Sequence, residues 1–284
     1  MDNKKNFQKS ENGNSLGFHA SQLNSAGKKV KTYSHSKIST FEQCALKYKF
    51  KYIDKIEIIG KSIESLLGLA VHLALEHLYN EIKSGKTPNI EELIKFYSDA
   101  WQENYHKNIL IVKKEFDETH YFNKGVQFLI NYYTKNYPFK DNTLETEKKI
   151  EIILKENESE IINLVGYIDR IVHNLEKDEI EIHDYKTANS LPLKEKIEND
   201  KQLALYSIAI KKEFGGDKKI CLVWHYLAHN TKICSYRTDE QLENLKKEIL
   251  ELINQIESAT EFPAKKSVLC NWCEYRGVCP DWRI

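Results

Sequence analysis

The sequence contains no apolar run approaching the roughly 18–20 residues that span a bilayer, so no membrane helix is expected. Residues 1–30 are polar and hold no apolar stretch, so no signal peptide is expected either, and the chain reads as cytoplasmic. Excess charge is missing too: Lys plus Arg and Asp plus Glu number 42 each. That balance argues against a polycationic nucleic-acid coat protein, though not against a local basic groove. No G-x-x-x-x-G-K-[ST] phosphate loop occurs, so the chain carries no nucleotide-driven motor of its own. Internal repeats and long linkers are also absent. What remains is ordinary for a soluble globular protein, with 41% hydrophobic and 30% charged residues. The 284 residues suit one large domain, or one domain with a small appendage. In a reducing compartment the six cysteines are expected to be ligands or core residues rather than disulfides.

Residues 1–32 are rich in Lys, Asn, Ser and Gly without periodicity and read as an unstructured tail, with order beginning near Tyr33. Ser39-Thr-Phe-Glu42 matches a capping box and predicts a helix to about Tyr52. Residues 62–83 carry Ile63, Leu66, Leu67, Ala70, Leu73, Ala74 and Leu78 at helical spacing, ended by Gly85 and Pro88. Two more helices are expected near 89–107 and 117–136. After Pro138 the character changes. Residues 146–155, 161–173 and 179–187 read as a three-stranded meander, with Gly166 marking a bulge or a close backbone approach. A crossover helix over about 193–214 ends at Gly215-Gly216. Strands at 219–228 and 231–237 follow, and a second capping box, Thr238-Asp-Glu-Gln241, opens a helix to about Ser258. The segment from 262 is short, aromatic and cysteine-rich.

The chemistry concentrates where apolar strands end in charge. In residues 178–187, Ile180, Ile182, Asp184 and Lys186 share one strand face, which starts apolar and finishes with a carboxylate and an ammonium. Buried charges are costly unless they are paired or bind a metal. The preceding strand supplies Asp169, expected on a face with Val165, Tyr167 and Ile171. Adjacent strands lie about 4.8 Å apart, so Asp169 and Asp184 can share one cation, and carboxylate oxygens suit magnesium or manganese. Lys186 would then orient a water or neutralise charge on a phosphoryl group. The plainer alternatives are a polar strand end for Asp169 and an ion pair for Asp184 and Lys186. His72 sits within an otherwise apolar helix, where a histidine is more often structural than a ligand, although a neutral imidazole is a good ligand. Glu76 lies one turn on and reads as a solvated acid. Gln202 and Tyr206 share a face of the crossover helix, either to hydrogen-bond a phosphate or base, or simply to pack.

In order along the chain, Gly68…His72, Gly166-Tyr-Ile-Asp169-Arg, Asp184-Tyr-Lys186 and Gln202-Leu-Ala-Leu-Tyr206 resemble the RecB-like branch of the PD-(D/E)XK nuclease superfamily. The resemblance covers about residues 33–284. It implies an α/β fold with a restriction-endonuclease-like mixed central sheet flanked by helices. It divides the chain into a helical region at 33–138, a catalytic core at 139–260 and a Cys-rich clasp at 261–284. It makes His72, Asp169, Asp184 and the carbonyl of Tyr185 metal ligands, Lys186 the catalytic lysine, and Gln202 and Tyr206 further active-site residues.

Cys270, Cys273 and Cys279 offer three thiolates within ten residues, one short of a tetrahedral set, and Cys44 is the best fourth. Cys221 and Cys234 fall in strand patterns and are expected in the core. Four cysteines suit zinc or an iron–sulfur cluster, but zinc sites usually show two short-spaced pairs. A distant Cys followed by C-x2-C-x5-C resembles the iron–sulfur clasp of AddB and of CRISPR-associated RecB-like exonucleases, which implies a 4Fe-4S cluster, with zinc the lesser alternative. Ala45 stands where many such relatives carry proline. Lys47, Lys49, Lys51 and Lys55 interleave with Tyr48, Phe50 and Tyr52, a pattern that suits single-stranded nucleic acid or, more simply, an amphipathic helix. Lys194, Lys196 and Lys201 are a similar weak signal, so no nucleic-acid-binding residue is assigned. The reading is a magnesium- or manganese-dependent deoxyribonuclease. The resemblance implies an exonuclease on DNA with single-stranded ends, acting alone or beside a helicase, recombination or CRISPR partner. The alternative is a nucleic-acid-binding subunit of such a complex with weak or no cleavage.

Overall fold

The computed structural model describes residues 22–25, 27–58 and 60–282. Of the tail expected at 1–32, residues 1–21 lie outside the described residues, but the remainder is not tail. Strand β1 (Gln22–Leu23) folds back antiparallel onto β2 (Lys29–Ser34), and β2 runs parallel to the long strand β4 described below. Order therefore begins before Tyr33.

Helix α1 (His35–Gln43) starts four residues before the expected capping box. Ser34 is the cap, its side chain accepting from the Lys37 N–H at 3.2 Å. The chain then breaks at Cys44, which is extended, before α2 (Ala45–Tyr48) and a wide turn at Lys49–Ile53. The break is occupied from outside: the Leu46 N–H donates to the carbonyl of Pro263 at 3.3 Å. A single helix through this region would have left no room for that partner.

Helix α3 (Ile63–Lys83) is capped by Ser62 and buries Leu66, Leu67, Ala70, Val71, Ala74, Leu75 and Leu78. It packs with α4 (Ile90–Asn104) and α5 (Glu118–Asn136) around Tyr97, Trp101, Leu129 and Tyr132. The meander follows as β3 (Asn142–Glu156), β4 (Glu160–Asn174) and β5 (Glu179–Lys186). The expected crossover helix is two pieces, α6 (Lys194–Glu198) and α7 (Lys201–Phe214), because Asp200 caps a new start by accepting from the Leu203 N–H. Strands β6 (Ile220–Tyr226) and β7 (Thr231–Ser235) complete the sheet, and α8 (Asp239–Ser258) carries the predicted capping box on Thr238 and Gln241.

The result is a mixed α/β fold with one seven-stranded sheet ordered β1-β2-β4-β5-β6-β7, β3 pairing with β4. Helices α3–α5 pack on one side, with Tyr185 in their core, while α1, α7 and α8 share a second core with Ile180, Ile182 and Trp224. Strand β5 lies between antiparallel β4 and parallel β6 and is buried on both faces.

One pleat breaks the expected alternation. Ile162, Leu164, Ile168 and Ile171 all belong to the same core, so the facing of β4 switches between Ile168 and Ile171. Opposite this switch, Glu147 of β3 takes a left-handed backbone (φ 46°), between the pairs Thr146–Arg170 and Lys148–Ile168. Ile171 therefore does not share the face of Val165 and Tyr167, as regular alternation through Asp169 would require, and Tyr167 is exposed.

Candidate metal-dependent active site

The site grows out of a fork in the sheet. The β4–β5 ladder ends at the pair Arg170–His183, and the β2–β4 ladder ends at Ser34–Val165. Residues 166–169 lie between the two ladders. At the fork the Tyr185 N–H donates not to a strand carbonyl but to the Asp169 carboxylate, at 2.8 Å. The Asp169 side chain thus holds the strand that carries Asp184 and Lys186. From the helical side, the His72 ring donates through Nε2 to the Tyr185 carbonyl at 2.7 Å and places Nδ1 at 3.4 Å from Asp169.

Burial sets the electrostatics. Asp184 is 5% exposed, and burial, with Asp169 as a like-charged neighbour, raises its pKa against the opposing pull of Lys186 and His72. Lys186 donates to one Asp184 oxygen at 2.9 Å and to Gln202 Oε1 at 3.3 Å. The second Asp184 oxygen lies 2.7 Å from the ammonium but is buried without a hydrogen-bond partner. Burial opposes charge on Lys186, yet Asp184 outweighs it and the pKa is raised. Burial likewise opposes charge on His72, but Asp169, Asp184 and the Tyr185 carbonyl prevail and push it up to about 9.

A divalent cation suits this geometry. The donor set is carboxylate, carboxylate, carbonyl and imidazole, which are hard or borderline ligands. Asp169, Asp184 and the Tyr185 carbonyl together favour positive charge at His72. Among the described residues, the side chains found close enough together to share one ion are a set without Asp184. A ring nitrogen of His72 and carboxylate oxygens of Asp169 and Glu147 all lie within 4.8 Å of one another. Glu147 was missed in the sequence. It sits in the charged run Glu145–Lys149 on β3, and only the cross-strand register brings it opposite Asp169.

Tyr206 reaches the site over Gly166: a Cβ there would come within 2.4 Å of the Tyr206 ring. That is the close approach expected of Gly166, while the β3–β4 ladder carries register shifts elsewhere, at 143–145 and 153–155. The structure thus brings His72, Asp169, Asp184, the Tyr185 carbonyl, Lys186, Gln202 and Tyr206 to one place.

Behind the site, the opposite face of β5 is polar and buried. Arg170 donates to Thr143 Oγ1 at 3.0 Å, pairs with Asp141, lies 2.9 Å from His183 Nδ1 and rests 3.8 Å above the Tyr79 ring. His183 continues to His225 and to Glu181, at 2.8 Å each. Tyr132 joins Tyr79 at 2.7 Å and Tyr185 at 3.3 Å. The strand that presents Asp184 and Lys186 is therefore braced from behind.

Cys44, Cys270, Cys273 and Cys279 are free, half-buried and line one cavity of about 240 Å³. Burial pushes the Cys273 thiol up, opposed by the Tyr275 backbone and Lys47. The Ser267 N–H points to Cys270 Sγ at 3.4 Å. The other two cysteines correct an expectation. Cys221 is buried, but Cys234 is exposed on β7, and the two form a disulfide between neighbouring strands. The lysines near the first helix are mostly engaged: Lys47 pairs with Glu274, Lys49 with Asp54, and Lys201 with Glu42 and Glu248.

Fold and site together define a mixed α/β protein with a carboxylate-rich divalent-metal site next to a lysine. The chain belongs to the PD-(D/E)XK nuclease superfamily, whose family model matches residues 32–280, and its class is that of a metal-dependent nuclease. No curated protein matches the chain. One solved structure similar to it, titled "Crystal structure of SSO0001", shares 16% identity, covers 84% of this chain and 95% of its own, and superposes with a TM-score of 0.35. That likeness bears no argument. No described helix is long and apolar enough to cross a membrane.

Proposed function

We propose that this chain is a magnesium- or manganese-dependent DNA exonuclease that shortens DNA from single-stranded ends. The observation that carries the reading is the fork: Asp169, Asp184, His72 and the Tyr185 carbonyl converge beside Lys186, which pairs with both Asp184 oxygens. These four groups would hold the cation, which supplies the Lewis acidity that activates water and stabilises phosphoryl charge. Lys186, steadied by Asp184 and Gln202, presents its remaining donor to the attacking water or to a phosphoryl oxygen. Gln202 fixes the lysine from α7. Tyr206, seated on Gly166, walls the site on that side.

Exonuclease action, preference for single-stranded ends, and work beside a helicase, recombination or CRISPR partner rest on the resemblance to RecB-like nucleases. The cysteines support the same branch. Four free sulfurs line a cavity of about 240 Å³. The order of a distant cysteine and then C-x2-C-x5-C lacks the two short-spaced pairs usual for zinc. We assign the cavity to a 4Fe-4S cluster, with zinc as the alternative occupant.

The test is digestion of end-labelled single- and double-stranded DNA, and of RNA, with magnesium or manganese and with chelator. Metal-dependent shortening of DNA from an end is expected, and Asp184→Ala should lower the rate more than about a hundredfold. Equal cleavage by the variant would overturn the active-site assignment. Internal cuts without end shortening would overturn exonuclease action.

A further inference from the structure

We infer that Glu147 is a metal ligand of this site, a third carboxylate beside Asp169 and Asp184. The inference rests on the metal-dependent reading above and adds a residue from a different strand, outside the motifs that define that reading.

Geometry comes first. Ligands on opposite sides of a magnesium-sized ion, with bonds of about 2.0–2.1 Å, lie about 4.2 Å apart, and adjacent ligands lie closer. The ligand atoms of Glu147, Asp169 and His72 fall within 4.8 Å of one another, the span that one ion bridges after a small contraction. Two of the three are already bound into the fork: Asp169 accepts from the Tyr185 N–H, and His72 donates to the Tyr185 carbonyl. Glu147 approaches this pair from β3.

Placement comes second. Glu147 lies opposite Asp169, between the pairs Thr146–Arg170 and Lys148–Ile168. Like charges directly opposite on neighbouring strands destabilise a sheet. On an open strand face such carboxylates swing apart into water. Here Glu147 is half-buried, and its left-handed backbone, φ 46°, re-aims its side chain at the point where the facing of β4 switches.

An independent observation points to the same missing charge. The Asp184 oxygen without a hydrogen bond belongs to a side chain that is 5% exposed; it lies 2.7 Å from the Lys186 ammonium, and Asp169 adds like charge to the same carboxyl. Asp169 and Asp184 are like charges in one pocket, and a divalent ion held there relieves their repulsion.

The test is a manganese titration of the full chain, followed by calorimetry and by the manganese paramagnetic resonance signal, with no nucleic acid present. Glu147→Gln keeps the shape and removes the charge. Glu147→Asn keeps a residue that tolerates a left-handed backbone and removes the reach, so it guards against misfolding of the first variant. Both should weaken manganese binding at least about tenfold and shrink the rise in melting temperature that manganese produces. Wild-type affinity in both variants overturns the inference. Asp184→Ala separates this from the underlying reading. If that variant loses manganese while the Glu147 variants keep it, Glu147 alone is refuted. If all three bind as wild type does, the metal site itself is misplaced.

Discussion

Gly166→Ala should cost stability in the native chain and cost nothing once Tyr206 is cut back. A Cβ at residue 166 would meet Tyr206 Cε1 at 2.4 Å, Cζ at 2.5 Å and the hydroxyl oxygen at 2.6 Å. Ordinary carbon contacts begin at about 3.5 Å, so the ring must retreat by about 1 Å. Tyr206 is 5% exposed in a packed core, and overpacking of this kind costs about 1–3 kcal/mol. Against that runs a gain. Gly166 has no left-handed backbone, so alanine fits its conformation and restricts the unfolded chain, worth about 0.4–1 kcal/mol. In the native background the clash wins, for a net loss of up to about 2.6 kcal/mol. In a Tyr206→Ala background the clash vanishes, and Gly166→Ala should become neutral or stabilising by about 0.4–1 kcal/mol. Urea unfolding of the four proteins closes this double-mutant cycle. A loss of the same size in both backgrounds would refute the packing argument, because the cost would then lie in the β4 backbone rather than in the ring.

Acid should unfold the chain by way of the network behind β5. Burial, with Arg170 and Lys232 as like charges and despite Glu181, lowers the His183 pKa to about 3, and burial with His183 and Arg170 lowers that of His225 as well. Unfolded histidine titrates near 6.5, so the unfolded state binds more protons below that pH. Stability is therefore fully present above about 6.5 and falls as pH drops toward 3. Between pH 7.5 and 5.5 each of the two histidines should remove about 1.4 kcal/mol, read by urea unfolding at both values, and His225→Asn should abolish about half of the combined loss. An unchanged loss in that variant would place the acid sensitivity elsewhere. For the cysteines, anaerobically purified protein should be brown and contain iron. Cys44→Ser should be colourless and less stable by up to about 5 kcal/mol, the entropy of the long loop from Cys44 to Cys270 that the cluster closes. Zinc in a colourless wild-type protein would refute the cluster.

Much of this architecture was legible in the sequence because it is written locally. The α3 stripe of Leu66, Ala70, Ala74 and Leu78 and the Thr238–Gln241 cap need only near neighbours, and both appear where expected. So do the three strands of the meander, β3 and β4 longer than expected and β5 one residue shorter. Ser39 misled because a serine with an acid three residues on satisfies the pattern for a cap, while the true cap, Ser34, has Lys37 at that position and is chosen by the end of β2. The break at Cys44 is set by Pro263, far along the chain. Glu147 was invisible for a related reason. A glutamate among alternating charges looks solvated, and only register with Asp169 brings it to the site. The Cys221–Cys234 bond, likewise, joins two strands whose pairing single-strand patterns do not specify.

The link between the cysteine segment and helix α3 has a consequence in time. The Trp272 indole, set between Cys270 and Cys273, donates to Glu64 at 3.1 Å, across 208 residues, and Tyr121 donates to the same carboxylate oxygen. Glu64 lies two turns before His72 on one helix. Lys265 reaches the carbonyl of Glu42 across 223 residues, and Phe262 stacks on Tyr48. A ribosome makes α1 and α3 long before residues 262–272, yet both helices are seated by them. Until 262–272 have left the ribosome, the helix that carries His72 lacks one of its anchors. The site of Asp169, Asp184 and Lys186 would therefore gain its fully seated histidine helix only after residues 262–272 have joined the fold.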